Sequence, residues 1–251
     1  MKSMLILVAA SLFAVQSITA APINITAPDG QDDGRTGPGY NETISTEDQN
    51  LNFTSSWSQE FDLEAFYYDA DSSKLSMISG FDVFSGHEQG IYLGDIFIKT
   101  SGSSTWDYVI AFNRGTKKID GVIQNVFLDN SYKIVDVSGG YTLLPLTGNY
   151  QKQKPEAQPY AITNYDETNV KYNGFFTYEE KKDTYLGLLG DYHYDMGGLN
   201  LSVLGTNSFQ LHLTESCGND IIKASVPEPA ILSLLGLGLI GISFLRRKRN
   251  N

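Results

Sequence analysis

Three histidines and one cysteine are the side chains in this sequence best suited to general-base or nucleophilic chemistry. His87, His193 and His212 lie far apart, and no Gly-x-Ser-x-Gly elbow, His-Glu-x-x-His helix or glycine-rich phosphate loop accompanies them. His212 alternates with apolar neighbours and is predicted to face solvent on a strand. Cys217 has no basic neighbour or helix N-terminus that would activate its thiol. We therefore predict a protein that is not an enzyme and that has no catalytic residue, cofactor or metal ion.

Carboxylates are the other abundant chemical group. Between Ala21 and Val226 the sequence has 28 Asp and Glu residues against 13 Lys and Arg residues, and the whole chain carries a net charge of −11. This acidity repels nucleic acid, so no nucleic-acid partner is expected. Residues 69–73 come nearest to a calcium loop but lack its central Gly and late Glu, which predicts an acidic turn. Two carboxylates facing each other in a groove would make a glycosidase, and this alternative stays open.

The C-terminal tail combines three features in a fixed order: a Pro-Glu-Pro triplet, sixteen uncharged residues from Ala230 to Leu245, and a basic cluster. The prolines hold the triplet extended, and the second suits the first position of a helix. At ~1.5 Å per residue the uncharged run spans about 24 Å, which is short for a membrane helix. The basic cluster places the C-terminus in the cytoplasm and the preceding residues outside. The triplet is Pro227, Glu228 and Pro229, and the cluster is Arg246, Arg247, Lys248 and Arg249.

This order resembles the PEP-CTERM sorting domain of exopolysaccharide-producing bacteria, over Val226 to Arg249. The resemblance implies that a membrane enzyme, exosortase, recognises Pro227, Glu228 and Pro229 and cuts near them. It also implies a transient precursor in the inner membrane, held by the helix 230–245 and stopped by the basic cluster. An ordinary permanent anchor is the alternative, although such an anchor needs no Pro-Glu-Pro triplet.

The N-terminus carries a second targeting element. Lys2 precedes an apolar run from Met4 to Val15, and small residues follow. This pattern is typical of a secretory signal peptide, residues 1–20, with cleavage after Ala20. Residues 21–56 are acidic and poor in apolar side chains, which predicts a disordered linker.

Residues 57–223 change to a period of two, which predicts half-buried strands. Phe209, Leu211 and Leu213 alternate with polar residues, for example. The apolar parity shifts at Gly94-Asp95, which predicts a β-bulge there. We expect an all-β fold, an antiparallel β-sandwich of jelly-roll type, as one domain; two smaller β domains divided near residues 148–172 are the alternative.

These features together predict an exported protein of the cell surface or extracellular exopolysaccharide matrix. Its expected role is structural or adhesive, in biofilm or floc, with exosortase as the processing partner and matrix polysaccharide as a further partner. The alternatives are a secreted carbohydrate-active enzyme and a lectin-like carbohydrate-binding module with the same sorting signal.

Overall fold

The structure is a computed structural model, and it describes ten parts of the chain. These are residues 21–27, 50–51, 63–80, 82–84, 92–119, 122–144, 158–181, 189–190, 193–216 and 221–226.

Strands make up nearly all of the regular structure in these residues. Two single-turn 3₁₀ helices, Glu167–Asn169 and Ser202–Leu204, are the described helical elements. The strands are β1 (Ile23–Asn24), β2 (Thr26–Ala27), β3 (Asn50–Leu51), β4 (Leu63–Asp69), β5 (Lys74–Ser79), β6 (Ile96–Thr100), β7 (Tyr108–Ile119), β8 (Val122–Asp136), β9 (Thr142–Leu143), β10 (Ile162–Asn164), β11 (Val170–Phe175), β12 (Thr177–Lys181), β13 (Leu189–Gly190), β14 (His193–Asn200), β15 (Phe209–Thr214) and β16 (Ile221–Val226).

The strands form two large sheets. One has five strands in the order β1-β4-β5-β14-β12, and the other has seven in the order β11-β8-β7-β6-β15-β16-β2. Every recorded pairing within them is antiparallel. Two small sheets pair β9 with β10 and, in parallel, β3 with β13. The prediction of an all-β fold with antiparallel sheets is confirmed.

Both large sheets contribute to one buried hydrophobic cluster, as the period of two requires. In β15, Phe209, Leu211 and Leu213 belong to this cluster, and Phe66 and Tyr68 of β4 join it from the five-stranded sheet. The ring of Tyr68 meets the ring of Phe209 edge to face, with centroids 5.0 Å apart. Burying a side chain of this size contributes about 1.5–3 kcal/mol, so this shared cluster is the main source of stability that holds the sheets.

A second buried cluster covers the other face of the seven-stranded sheet. Phe97, Val109 and Val135 point to this face and pack with Ile162 of β10. The chain from 158 to 165 therefore forms an outer layer on the sheet. Strands β6, β7 and β8 are consequently buried on both faces near this layer.

Residues 23–27 cross from one large sheet to the other. β1 pairs with β4 at the edge of the five-stranded sheet, and β2 pairs with β16 at the edge of the seven-stranded sheet. Between them, Ile25 is 7% exposed, donates its amide to the Phe66 carbonyl and accepts from the Ser225 amide. The predicted disordered linker is therefore wrong for its first seven residues, because their backbone pairs with two sheet edges even though few of their side chains are apolar. Most of the remaining linker lies outside the described residues.

Two other strand predictions need correction. The alternation predicts two separate strands, Val122 to Leu128 and Tyr132 to Val137, but β8 runs unbroken from Val122 to Asp136, because β7 pairs with it on both sides of residues 128–131. The alternation also predicts one strand from Gly174 to Tyr178, but β11 ends at Phe175 and β12 begins at Thr177 in the other large sheet. The buried Phe176 lies at this second crossing.

The pairing on either side of Gly94-Asp95 agrees with the predicted bulge. Phe97 lies opposite His212 and Leu93 lies opposite Glu215, so the chain from Leu93 to Phe97 has one residue more than the chain that faces it. A second register shift lies between β7 and β8, where residues 128–131 of β8 face Asn113 alone. Gly94 also has a second role. A Cβ there would lie 2.4 Å from the Tyr160 carbonyl oxygen, so the missing side chain lets the outer layer approach the sheet.

Candidate functional site

The predicted sorting residues begin where the seven-stranded sheet ends. β16 finishes at Val226, and Pro227, Glu228 and Pro229 follow directly. The triplet itself lies outside the described residues, as do Ala20 and the basic residues Arg246, Arg247, Lys248 and Arg249. The structure therefore locates the start of the sorting signal without describing the signal.

β16 is held on both sides. Six of its residues pair with β15, ending with Val226 opposite Phe209. On its other side, Lys223 and Ala224 pair with β2. Because both neighbours bind the strand, the chain stays in sheet geometry up to the residue before the triplet.

A polar loop lies beside the end of β16. Thr100, the last residue of β6, lies opposite Phe209, and the Ser101 amide donates to the Ser208 carbonyl. Asp107 organises this loop by accepting from the Thr100 amide at 2.8 Å and from the Ser103 hydroxyl at 2.8 Å. Partial burial alone would raise the pKa of the Asp107 carboxyl, but these hydrogen bonds outweigh it and hold the pKa below its ordinary value.

A cleft of about 620 Å³ lies on the outer face of the seven-stranded sheet, next to β10. Its deepest charged group is Asp95, which is fully buried and forms an ion pair with Arg114. Asp95 also accepts from the Ile162 amide at 2.9 Å and the Phe112 amide at 3.2 Å. Burial raises the pKa of the Asp95 carboxyl, and Arg114 with the two amides opposes that rise. This carboxylate therefore joins the sheet to its outer layer.

Tyr160 lies beside both members of the Asp95–Arg114 ion pair. Its carbonyl accepts from the Asp95 amide at 3.0 Å, and its ring lies 6.0 Å from the Arg114 guanidinium carbon. The Tyr160 hydroxyl is buried and makes no hydrogen bond of good geometry. Burial raises the pKa of this phenol, so it stays protonated.

The outer wall of the cleft is more exposed. Lys133 bonds both carboxylate oxygens of Glu167, at 2.7 and 3.0 Å, and its ammonium lies 5.3 Å from the Tyr165 ring centroid. The hydroxyls of Ser131 and Thr163 also line the cleft. Hydroxyl, ammonium and aromatic groups side by side are the groups that bind polar organic ligands such as sugars.

The prediction that His212 faces solvent is wrong. His212 is 3% exposed, and its ring lies 5.8 Å from that of Trp106. Trp106 is the reason, because its ring covers the face of β15 that alternation alone assigned to water and packs against the second buried cluster. The thiol of Cys217 and the ring of His87 lie outside the described residues, and for His193 only the backbone is described.

The acidic run after β4 is a turn, as predicted. Asp69 accepts from the backbone amides of Asp71 and Ser72 and from the Ser72 hydroxyl at 2.6 Å. The Ser72 hydrogen bond holds the pKa of the Asp69 carboxyl below its ordinary value. Among the residues that the structure describes, no group of three or more His, Cys, Asp or Glu side chains is arranged to hold a metal ion.

The sequence prediction did not identify the Asp95–Arg114 pair. One signal was available, since Asp95 interrupts the apolar run from Ile91 to Ile98, and a carboxylate in such a run requires a partner. The identity of that partner was not readable, because Arg114 lies 19 residues further along the chain, on the neighbouring strand β7.

Comparison with known proteins identifies the tail and leaves the rest of the chain unmatched. The family model of the PEP-CTERM protein-sorting motif matches residues 225–249. The chain therefore carries this motif, which implies export, a membrane-associated precursor and processing by exosortase. The chain matches no curated protein and no solved structure. Within the described parts of the chain, none of the helices has the length and apolar content needed to cross a membrane, and residues 230–245 lie outside those parts.

Proposed function

We propose that this protein is a structural or adhesive component of the cell surface or the exopolysaccharide matrix, delivered there by exosortase processing. The observation that carries the proposal is the sorting motif at residues 225–249, which begins at the last residues of a β-sheet protein. A non-enzymatic role is part of the proposal. It is supported by Asp95, the one carboxylate among the described residues that line the cleft, because Arg114 and two backbone amides engage it.

The proposed fold of the exported part is a sandwich. The cluster shared by the two large sheets supports it, as do the crossings at residues 23–27 and at Phe176, which join the sheets at both pairs of edges. Two of the four edge strands, β1 and β2, are only two residues long, and such short edges limit uncontrolled aggregation outside the cell.

Replacing Pro227 and Glu228 together by Ala tests the function. The uncharged run and the basic cluster remain, so membrane insertion should continue, while processing should fail. We expect the uncut precursor to accumulate in the inner membrane and to disappear from the surface and matrix fractions. Cell fractionation and the intact mass of the protein measure both effects.

The sequence offers a matched control, because a second Pro-Glu pair occurs at Pro155 and Glu156. The same double change there should leave the mature mass and the surface yield unaltered. A triplet variant that also kept its mature mass and surface yield would show that the tail is a simple anchor. Loss of cell aggregation in the triplet strain supports a structural role, whereas a changed polysaccharide chain length would indicate an enzyme.

Carbohydrate binding is a second candidate function, and the cleft is the observation that favours it. Tyr165, Lys133 and Thr163 place an aromatic ring, an ammonium and a hydroxyl on one wall. We expect Tyr165→Ala to weaken retention of the purified protein on immobilised matrix polysaccharide, because a sugar ring would lose its stacking surface. Tyr141→Ala is the control, since Tyr141 is 36% exposed and is not among the residues lining the cleft. Equal retention of the two variants would argue against a sugar site in the cleft.

A further inference from the structure

The first described segment, which begins at Ala21, and the last, which ends at Val226, both point to the same end of the two large sheets. We call this the junction end and define it by residues 100–106, residues 205–208 and Val226. In the seven-stranded sheet, Val226, Phe209 and Thr100 lie opposite one another on three adjacent strands. On the other sheet, Ile23 lies opposite Tyr68, whose ring contacts that of Phe209.

The direction of the chain agrees with this placement. Lys223 pairs with Ala27 and Ala224 with Thr26, so β2 and β16 are antiparallel. The C-terminal end of β16 therefore lies on the side towards which the N-terminal segment runs back to residue 21. The residue after the predicted signal-peptide cut and the residue before the triplet therefore lie towards the same end of the sheets.

The connection from the junction end to the predicted membrane helix is very short. Pro227, Glu228 and Pro229 alone separate Val226 from Ala230. An extended chain covers at most about 3.6 Å per residue, so Val226 lies within about 14 Å of the first helix residue. The headgroup layer of one leaflet takes up roughly 5–7 Å of that distance. A folded sheet attached by the remainder cannot stand clear of the lipid surface.

The side chains around Val226 suit a position at the lipid surface. Residues 100–106 and 205–208 contain no charged residue, whereas the chain from Ala21 to Val226 is strongly acidic. The Asp107 carboxylate behind the loop is engaged by Thr100 and Ser103. Uncharged hydroxyl and amide groups can approach phosphate headgroups without the repulsion that carboxylates would cause. The acidic turn 69–73 lies at this end too, on the five-stranded sheet, and there the Asp69 carboxylate is engaged by the Ser72 hydroxyl and by two backbone amides.

We propose that the junction end rests on the headgroups of the outer leaflet of the inner membrane while the precursor is held by its C-terminal helix. This inference depends on the membrane helix of the proposed function, and it adds the surface that faces the lipid. The N-terminal segment belongs to this surface, because Ile23 lies opposite Tyr68 at the same end of the sheets. Exosortase would then meet its triplet in a narrow gap between a folded sheet and the bilayer.

Depth-dependent quenching of a fluorescent label tests the proposal. The precursor without its signal peptide, residues 21–251 with Cys217→Ser to remove the single cysteine, is reconstituted in phosphatidylcholine vesicles that contain headgroup spin-labelled lipid. An environment-sensitive dye is attached at Ser104→Cys, an exposed loop position of the junction end, or at Thr116→Cys, an exposed position on β7. Thr116 lies eight residues beyond Tyr108, about 26 Å further along the strand, at ~3.3 Å per residue. We expect the dye at Ser104 to lose most of its fluorescence and the dye at Thr116 to keep it.

A spacer provides the control. Twelve Gly and Ser residues inserted between Val226 and Pro227 should remove the difference between the two positions, because the sheet can then move away by about 20 Å. Equal quenching at both positions without the spacer would overturn the proposal. Vesicle flotation separates this result from a failure of the proposed function. A precursor that floats with vesicles but shows equal quenching refutes only the membrane-facing surface, whereas a precursor that does not float refutes the membrane helix as well.

Discussion

The Asp95→Ala variant should lose about 3 kcal/mol of its free energy of unfolding, because one substitution removes the partner of a largely buried arginine. The Arg114 side chain is 15% exposed, so it cannot recover full hydration when its carboxylate is gone. The amides of Ile162 and Phe112 lose their acceptor as well. Urea unfolding followed by tryptophan fluorescence measures the loss.

An exposed ion pair supplies the control for this effect. Glu167→Ala breaks the pair with Lys133, whose side chains are 70% and 34% exposed, and should cost at most about 1 kcal/mol. Asp95→Asn should fall between the two, because the amide oxygen still accepts one backbone hydrogen bond. If Asp95→Ala proved no more destabilising than Glu167→Ala, the buried pair would not be what joins the sheet to its outer layer.

The Gly94→Ala variant should be destabilised to a similar degree, by about 3 kcal/mol, although it adds only one methyl group. The new Cβ would lie 2.4 Å from the Tyr160 carbonyl oxygen and 2.6 Å from the Thr214 carbonyl oxygen. Both atoms belong to the backbone, and the Gly94 and Asp95 amides donate to these carbonyls, so relief of the contact breaks hydrogen bonds. Thermal unfolding should show a clear fall in Tm.

Gly139→Ala is the matched control for this variant. Nothing lies within 4 Å of a Cβ at Gly139, and its backbone conformation is open to other residues. The change should therefore be neutral or slightly stabilising, because Ala restricts the unfolded chain. Equal behaviour of the two variants would mean that the outer layer does not approach Gly94 as closely as described.

The alternation of apolar and polar residues predicted the fold class, because most strands bury every second side chain. Phe209, Leu211 and Leu213 follow this rule and join the shared cluster. The rule fails where another part of the chain covers the other face, as Trp106 does at His212 and as the outer layer does at Asp95. No local pattern records that layer, since it comes from a part of the chain 67 residues beyond Asp95.

The N-terminal segment shows a different limit of sequence reasoning. Composition predicted disorder after Ala21, because Ile23 and Ile25 are the only large apolar side chains in residues 21–27. Its order comes instead from backbone pairing with two sheet edges, which composition does not report. For the site, the motif at residues 225–249 was readable because its parts are consecutive, whereas the cleft combines residues from β7, β8 and β10.

The double pairing of β16 also has a mechanical consequence. A pull on the chain at Val226, directed along the strand, would load the hydrogen bonds to β15 and β2 in shear. Bonds loaded in this way share the force and must break together, whereas bonds pulled apart from one end break one at a time. A surface protein tethered through its C-terminal end would thus transmit tension from flowing water into its most extensively paired sheet, and the strand that carries the tether would be among the last to detach.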